Sequence, residues 1–171
     1  EYDGLVFLAS DFYGQYGGGA KNNLTTIGVH EIAHQWWFGS VGSDQALEPW
    51  LDEAMSAYSE RLFYEYNYPR YGDWWWQFRV DYFGPSGYVD TPIYNWGSQR
   101  AYVNAVYLNG AHFIEDLRVR MGDDNFFRFL KDYASKYARG HVTGYDFFAT
   151  VRANTNADIS DLIAEYFSQS Y

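Results

Sequence analysis

The chain has 171 residues, 22 acidic against 12 basic for a formal net charge of -10, and no cysteine. That length fits one domain, which can bury roughly two thirds of the surface its unfolded form exposes. The charge argues against phosphate backbones and anionic lipid, so no nucleic-acid partner is expected; the absence of thiols excludes disulfides and thiolate metal ligands, leaving His, Asp and Glu to hold any metal.

No apolar run approaches the 18 or so residues that cross a bilayer, so no membrane span is expected and the segment reads as soluble. The opening Glu1-Tyr2-Asp3-Gly4 lacks an initiating methionine and suggests a fragment of something longer, so any signal peptide is out of view and the compartment stays unknown. Aromatics make up 22% of the residues, enough both to fill a core and to face a cleft or absent domains.

Leu5 to Ala9 is a short apolar run that predicts one strand, buried or at an edge. Tyr13 to Gly19 is too glycine-rich for regular structure and predicts a loop, with no Lys-Ser/Thr pair to make it a nucleotide cradle. A helix is expected from Thr25 or Thr26, able to cap it, to about Phe38, with Gly39 ending it. A second, started by Pro49, should run from about Trp50 to Tyr66. Trp74 to Arg79 predicts a third helix, whose tryptophans could line a pocket, meet a missing domain or enter the core. Helical periodicity returns from about Ser98 to Met121, Asp124 to Tyr137, Tyr145 to Ala153 behind a Thr143-x-x-Asp146 capping pattern, and Ile159 to about Ser168.

Chemistry concentrates in His30-Glu31-Ile32-Ala33-His34. Residues four apart share a helix face, so His30 and His34 can aim both imidazoles at one ion. Zinc suits neutral imidazole and a tetrahedron with one position left open. Glu31, about 100° round the helix, can reach the attacking water without binding the metal and is the natural general base. A third ligand must come from elsewhere. Glu53 follows His34 with 18 residues between, near the start of the next helix, where a helix-loop-helix hairpin can bring it back over the histidines. Asp52 and Glu60 could orient a ligating imidazole, although capping or solvation is at least as good an account of either. His112 and His141 match no motif and read as structural.

The segments His30 to Gly39 and Glu48 to Glu53 resemble those of the gluzincin aminopeptidases, the group containing aminopeptidase N and leukotriene hydrolase. The resemblance implies a mainly helical, thermolysin-like zincin catalytic domain over residues 1–171, with a short β element near the N-terminus. It also implies that the family's N-terminal β-sandwich and C-terminal helical domain are missing. One Zn2+ per chain would be bound by His30, His34 and Glu53, with Glu31 activating water for direct hydrolysis of peptides carrying a free N-terminus. By the same resemblance Glu1 ends a Gly-x-Met-Glu segment whose glutamate grips the substrate's amine, and Tyr107, in Tyr107-Leu108-Asn109-Gly110-Ala111, donates to the oxyanion. Lysine is common in the family where Asn109 stands, and Tyr102 is the rival donor. Two other functions stay open: a zinc-bearing fragment that binds peptides without turnover, and a related zinc hydrolase such as an epoxide hydrolase.

Overall fold

A computed structural model describes residues 2–171; the expected amine-binding residue, Glu1, lies outside them. A short helix, α1 (Ser10–Gly14), precedes α2 (Asn23–Ala33). The Asn22 side chain caps α2 by accepting a hydrogen bond from the Thr25 amide at 2.8 Å, in place of the expected threonine cap. The helix also stops at Ala33, short of the expected Phe38. The Gln35 and Trp36 amides turn back to carbonyls three residues earlier, and Phe38 at φ 144° reverses the chain. Gly39 closes the reversal, where a Cβ would stand 3.1 Å from the Gln35 carbonyl oxygen.

After β1 (Val41–Ser43), Pro49 sets up α3 (Trp50–Asn67). Every residue from Trp50 to Tyr58 is buried, which makes α3 the central helix. A 3-10 turn at Pro69–Tyr71 leads into α4 (Gly72–Trp75), which continues as a π-helical segment, Trp76–Val80. Likewise α5 (Gln99–Tyr102), a second π-helical segment (Val103–Asn109) and α6 (Gly110–Met121) follow one another without a break. Then come α7 (Asp123–Lys136), β2 (Gly140–Val142), α8 (Gly144–Asn154) and α9 (Ser160–Tyr166). Thr143 and Asp146 form the capping box expected for α8.

The two strands pair in parallel, with Val41 opposite Gly140. Leu5 to Ala9, expected as a strand, joins no ladder among the described residues; only an isolated bridge links Tyr2 to Leu5, and Leu5, Val6 and Phe7 are exposed. An apolar run becomes a strand only where a neighbour can take its backbone hydrogen bonds. Ser10–Gly14 turns helical and so takes in Tyr13 and Gly14, the start of the stretch expected as a loop.

Aromatic rings fill the core. Trp50, Phe113, Phe147, Phe148 and Phe167 interlock, mostly edge to face, with Trp50 to Phe147 at 4.9 Å and Phe113 to Phe167 at 4.7 Å. A second cluster holds Tyr64, Trp75, Leu108 and Ala111. Between them α3 and α6 approach closely at Gly110, where a Cβ would lie 2.6 Å from that of Ala54, the residue after Glu53. No helix among the described residues is long and apolar enough to cross a membrane.

Candidate metal centre

His30 on the last turn of α2, His34 at its C-cap and Glu53 on the first turn of α3 converge in the interior. Their donor atoms form a small triangle. His30 Nε2 lies 3.0 Å from Glu53 Oε2 and 3.1 Å from His34 Nε2, and His34 Nε2 is 3.4 Å from the same carboxylate oxygen. Ligands at about 2.05 Å in a tetrahedron stand about 3.3 Å apart, so the three atoms suit the corners of one zinc polyhedron. Two ring nitrogens facing each other at 3.1 Å also need a proton or a cation between them. The donor set, two imidazoles and one carboxylate with no thiolate, is that of a catalytic rather than a structural zinc site.

The far side of each ring is held as well. His30 Nδ1 donates to Glu60 Oε1 at 3.0 Å, while His34 Nδ1 faces the Trp37 carbonyl and the Ser56 hydroxyl, each at 3.2 Å. Those bonds leave each Nε2 free to ligate. Glu53, Ser56 and Glu60 occupy positions i, i+3 and i+7 of α3, one face of the helix turned to α2. Asp52 accepts from the Glu53 backbone N–H at 2.7 Å and from Gln45 Nε2 at 2.9 Å.

Burial works against charge on His30, but the Glu53 and Glu60 carboxylates outweigh it and raise its pKa from 6.5 to about 9. His34 is raised on the same balance, with Glu53 prevailing over burial. Burial would raise Glu53, yet its bonds to both histidines lower it to about 2. A negatively charged carboxylate against two imidazoles that favour cations makes a pocket whose electrostatics call for positive charge.

Glu31, next to His30 on α2, is half-buried. The Tyr107 hydroxyl, from the second π-helical segment, donates to Glu53 Oε1 at 2.5 Å, and its ring stacks on His30 at 5.6 Å, 9° from parallel. Burial first, and then the Glu53 anion, push its pKa far above the ordinary tyrosine value, so the proton stays on the oxygen. The Tyr102 ring is edge-on to that of Tyr107 at 5.6 Å. The Tyr2–Gly4 backbone is tied to Gln35, the residue after His34: the Gln35 side-chain Nε2 donates to the Tyr2 carbonyl at 3.0 Å and its Oε1 accepts from the Gly4 backbone N–H at 2.7 Å. His112 is away from the centre, bonded to Asp81 at 3.0 Å and stacked on Trp76, and His141 sits in β2 opposite Gly42.

Sequence reasoning passed over Ser56 and Arg79. Ser56 was open to discovery through its i+3 spacing from Glu53. Arg79 carried no local signal, because its partner Glu60 is 19 residues away.

A model of the peptidase family M1 domain matches residues 15–166. Aminopeptidase M1-B of Oryza sativa subsp. japonica is 25% identical over 177 residues, covering 98% of this chain and 19% of that protein. Endoplasmic reticulum aminopeptidase 1 of Mus musculus is 27% identical over 135 residues, covering 74% of this chain and 14% of that protein. The chain thus spans less than a fifth of the length of these two relatives. Among solved structures, a two-domain M1 zinc metallopeptidase mutant bound to L-tryptophan superposes with a TM-score of 0.67 at 22% identity, covering 90% of this chain and 35% of that one. The M1 zinc metallopeptidase from Deinococcus radiodurans gives 0.66 at 22% identity, covering 87% and 34%. Those superpositions establish the fold, one shared with M1 zinc metallopeptidases and mostly helical with a small two-stranded parallel sheet.

Proposed function

The chain belongs to peptidase family M1, and from that premise we propose that it is the catalytic domain of a zinc aminopeptidase, removing N-terminal residues from peptides by direct hydrolysis. The observation that carries the reading is the triangle of donor atoms, with edges of 3.0, 3.1 and 3.4 Å, contributed by His30, His34 and Glu53. These three residues hold the zinc. Bound there, the metal supplies Lewis acidity, which lowers the pKa of the attacking water and polarises the scissile carbonyl.

The chain's own groups do the rest. Glu31 takes a proton from the water and delivers it to the departing amine nitrogen, so one carboxylate serves as base and then as acid. Tyr107 turns its hydroxyl from Glu53 to the oxyanion that forms on the carbonyl oxygen. Its hydrogen bond to Glu53 and its stacking on His30 favour it over Tyr102. Glu1 binds the substrate's α-ammonium; the anchoring of Tyr2 and Gly4 on Gln35, beside His34, supports that role. Residues 1–171 form one domain, completed in the whole protein by further domains that enclose the cleft, as the short span of relatives covered suggests.

Glu31→Gln tests the reading. The variant should bind zinc as the wild type does and lose peptide cleavage by several orders of magnitude, while the wild type cleaves peptides with a free N-terminus and spares N-acetylated ones. Full activity in Glu31→Gln would refute the mechanism. Equal cleavage of acetylated peptides would refute the exopeptidase assignment.

A further inference from the structure

Glu60 is fully buried in α3 and joins a proposed metal ligand, His30, to two outer donors. Its Oε2 accepts from Trp75 Nε1 at 3.0 Å and from Arg79 Nε at 2.9 Å; its Oε1 accepts from Arg79 Nη2 at 2.9 Å and from His30 Nδ1 at 3.0 Å. Both outer donors come from one short stretch of chain, Trp75 at the end of α4 and Arg79 in the π-helical segment that follows. Single π-helical turns recur at functional sites, and each of the two among the described residues sends a side chain to this centre: Arg79 from one and Tyr107 from the other.

We infer that Arg79 is a positioning residue for the metal centre: its guanidinium, forked onto Glu60, fixes the carboxylate that in turn fixes the His30 ring. The inference rests on the zinc reading above and deepens it. A planar fork bonded to both carboxylate oxygens sets the plane and the rotation of that carboxylate, which a single donor cannot do. With Oε1 fixed, the His30 Nδ1 proton has one place to point, and Nε2 is aimed into the triangle with His34 and Glu53. Without the fork, Glu60 turns about its last torsion and His30 loses the acceptor that holds its tautomer.

Arg118 provides an internal comparison. It too forks onto a carboxylate of α3, Glu65, and onto Asp123, and is largely buried, yet it donates to no proposed metal ligand. Zinc affinity is measured on the full chain by competition with a chromophoric chelator at fixed pH, without substrate, for wild type, Arg79→Gln, Arg79→Lys and Arg118→Gln, each with its thermal midpoint. Arg79→Gln should weaken zinc binding roughly 10- to 100-fold. Arg79→Lys, which keeps charge but loses the fork, should fall between it and wild type, and Arg118→Gln should bind as wild type does even if its midpoint drops. Wild-type affinity in Arg79→Gln, or an equal loss in Arg118→Gln, overturns the inference. If Arg79→Gln does not fold, wild-type affinity in Arg79→Lys overturns it instead. Zinc bound without peptide cleavage would count against the hydrolase reading alone, since the affinity ratios are read without substrate; no zinc bound by the wild type would overturn both.

Discussion

Tyr107 donates a hydrogen bond from its hydroxyl to Glu53, so a role in turnover requires a change of partner from the carboxylate to the substrate. Removing only the hydroxyl isolates that step. Tyr107→Phe should keep zinc and lower kcat by about 10² to 10³, the usual worth of one oxyanion donor, while Tyr102→Phe changes kcat little. The reverse ranking in steady-state kinetics would transfer the role to Tyr102. The histidines give a second prediction. His30 is raised from 6.5 to about 9 in the metal-free fold, so its contribution to stability is complete below pH 6.5 and is lost as pH rises through about 9. Zinc competes for the same nitrogen, and its affinity should climb across that window, with protons released on binding near neutrality. Calorimetry in buffers of different ionisation enthalpy reads the release; an affinity already level above pH 7 would contradict it. The convergence of His30, His34 and Glu53 was legible in the sequence because helical spacing and ligand chemistry constrain them together. The choice between Asp52 and Glu60 was not, since it depends on which face of α3 turns to α2, and a helix buried nearly all round shows no apolar stripe to reveal it.

The helices expected from caps and periodicity are present, and their departures from expectation have local causes. α2 ends at Ala33 because the chain must reverse at Phe38 and Gly39 before α3 can return over the histidines. The two π-helical segments were invisible, for each lies inside a run whose apolar spacing fits an α-helix equally well. The strand read at Leu5 to Ala9 failed for want of a partner, whereas Val41–Ser43, too short to draw notice, pairs with a strand almost 100 residues away. Gly110 shows what such packing demands. Its absent side chain lets α6 approach α3 at Ala54, so Gly110→Ala meets a contact of 2.6 Å and must push the helices apart. The cost should be about 1 to 3 kcal/mol in denaturant unfolding, and the displacement should part Tyr107 from Glu53 and lower kcat. Wild-type stability and turnover in Gly110→Ala would show that this approach does not hold the site.

Across the molecule, the aromatic surplus divides between core and surface. Ten of the largest fully buried side chains are aromatic, including Trp50, Trp75 and Tyr133, while Tyr2, Phe7, Trp36 and Tyr94 stay exposed. The fold puts the proposed ligands where the helices that bear them, α2 and α3, cross beneath the second π-helical segment. A cavity of about 780 Å³ is instead lined by residues that include Tyr88, Arg152, Phe167 and Tyr171, none of which serves the centre. The proposed function therefore rests on one small cluster between two helices, and metal stoichiometry tests it most directly. Metal analysis of the wild type beside Glu53→Ala, purified without chelator and supplied with zinc, should find one zinc per chain in the wild type and far less in the variant. No zinc in the wild type, or undiminished zinc in Glu53→Ala, would contradict the centre described here.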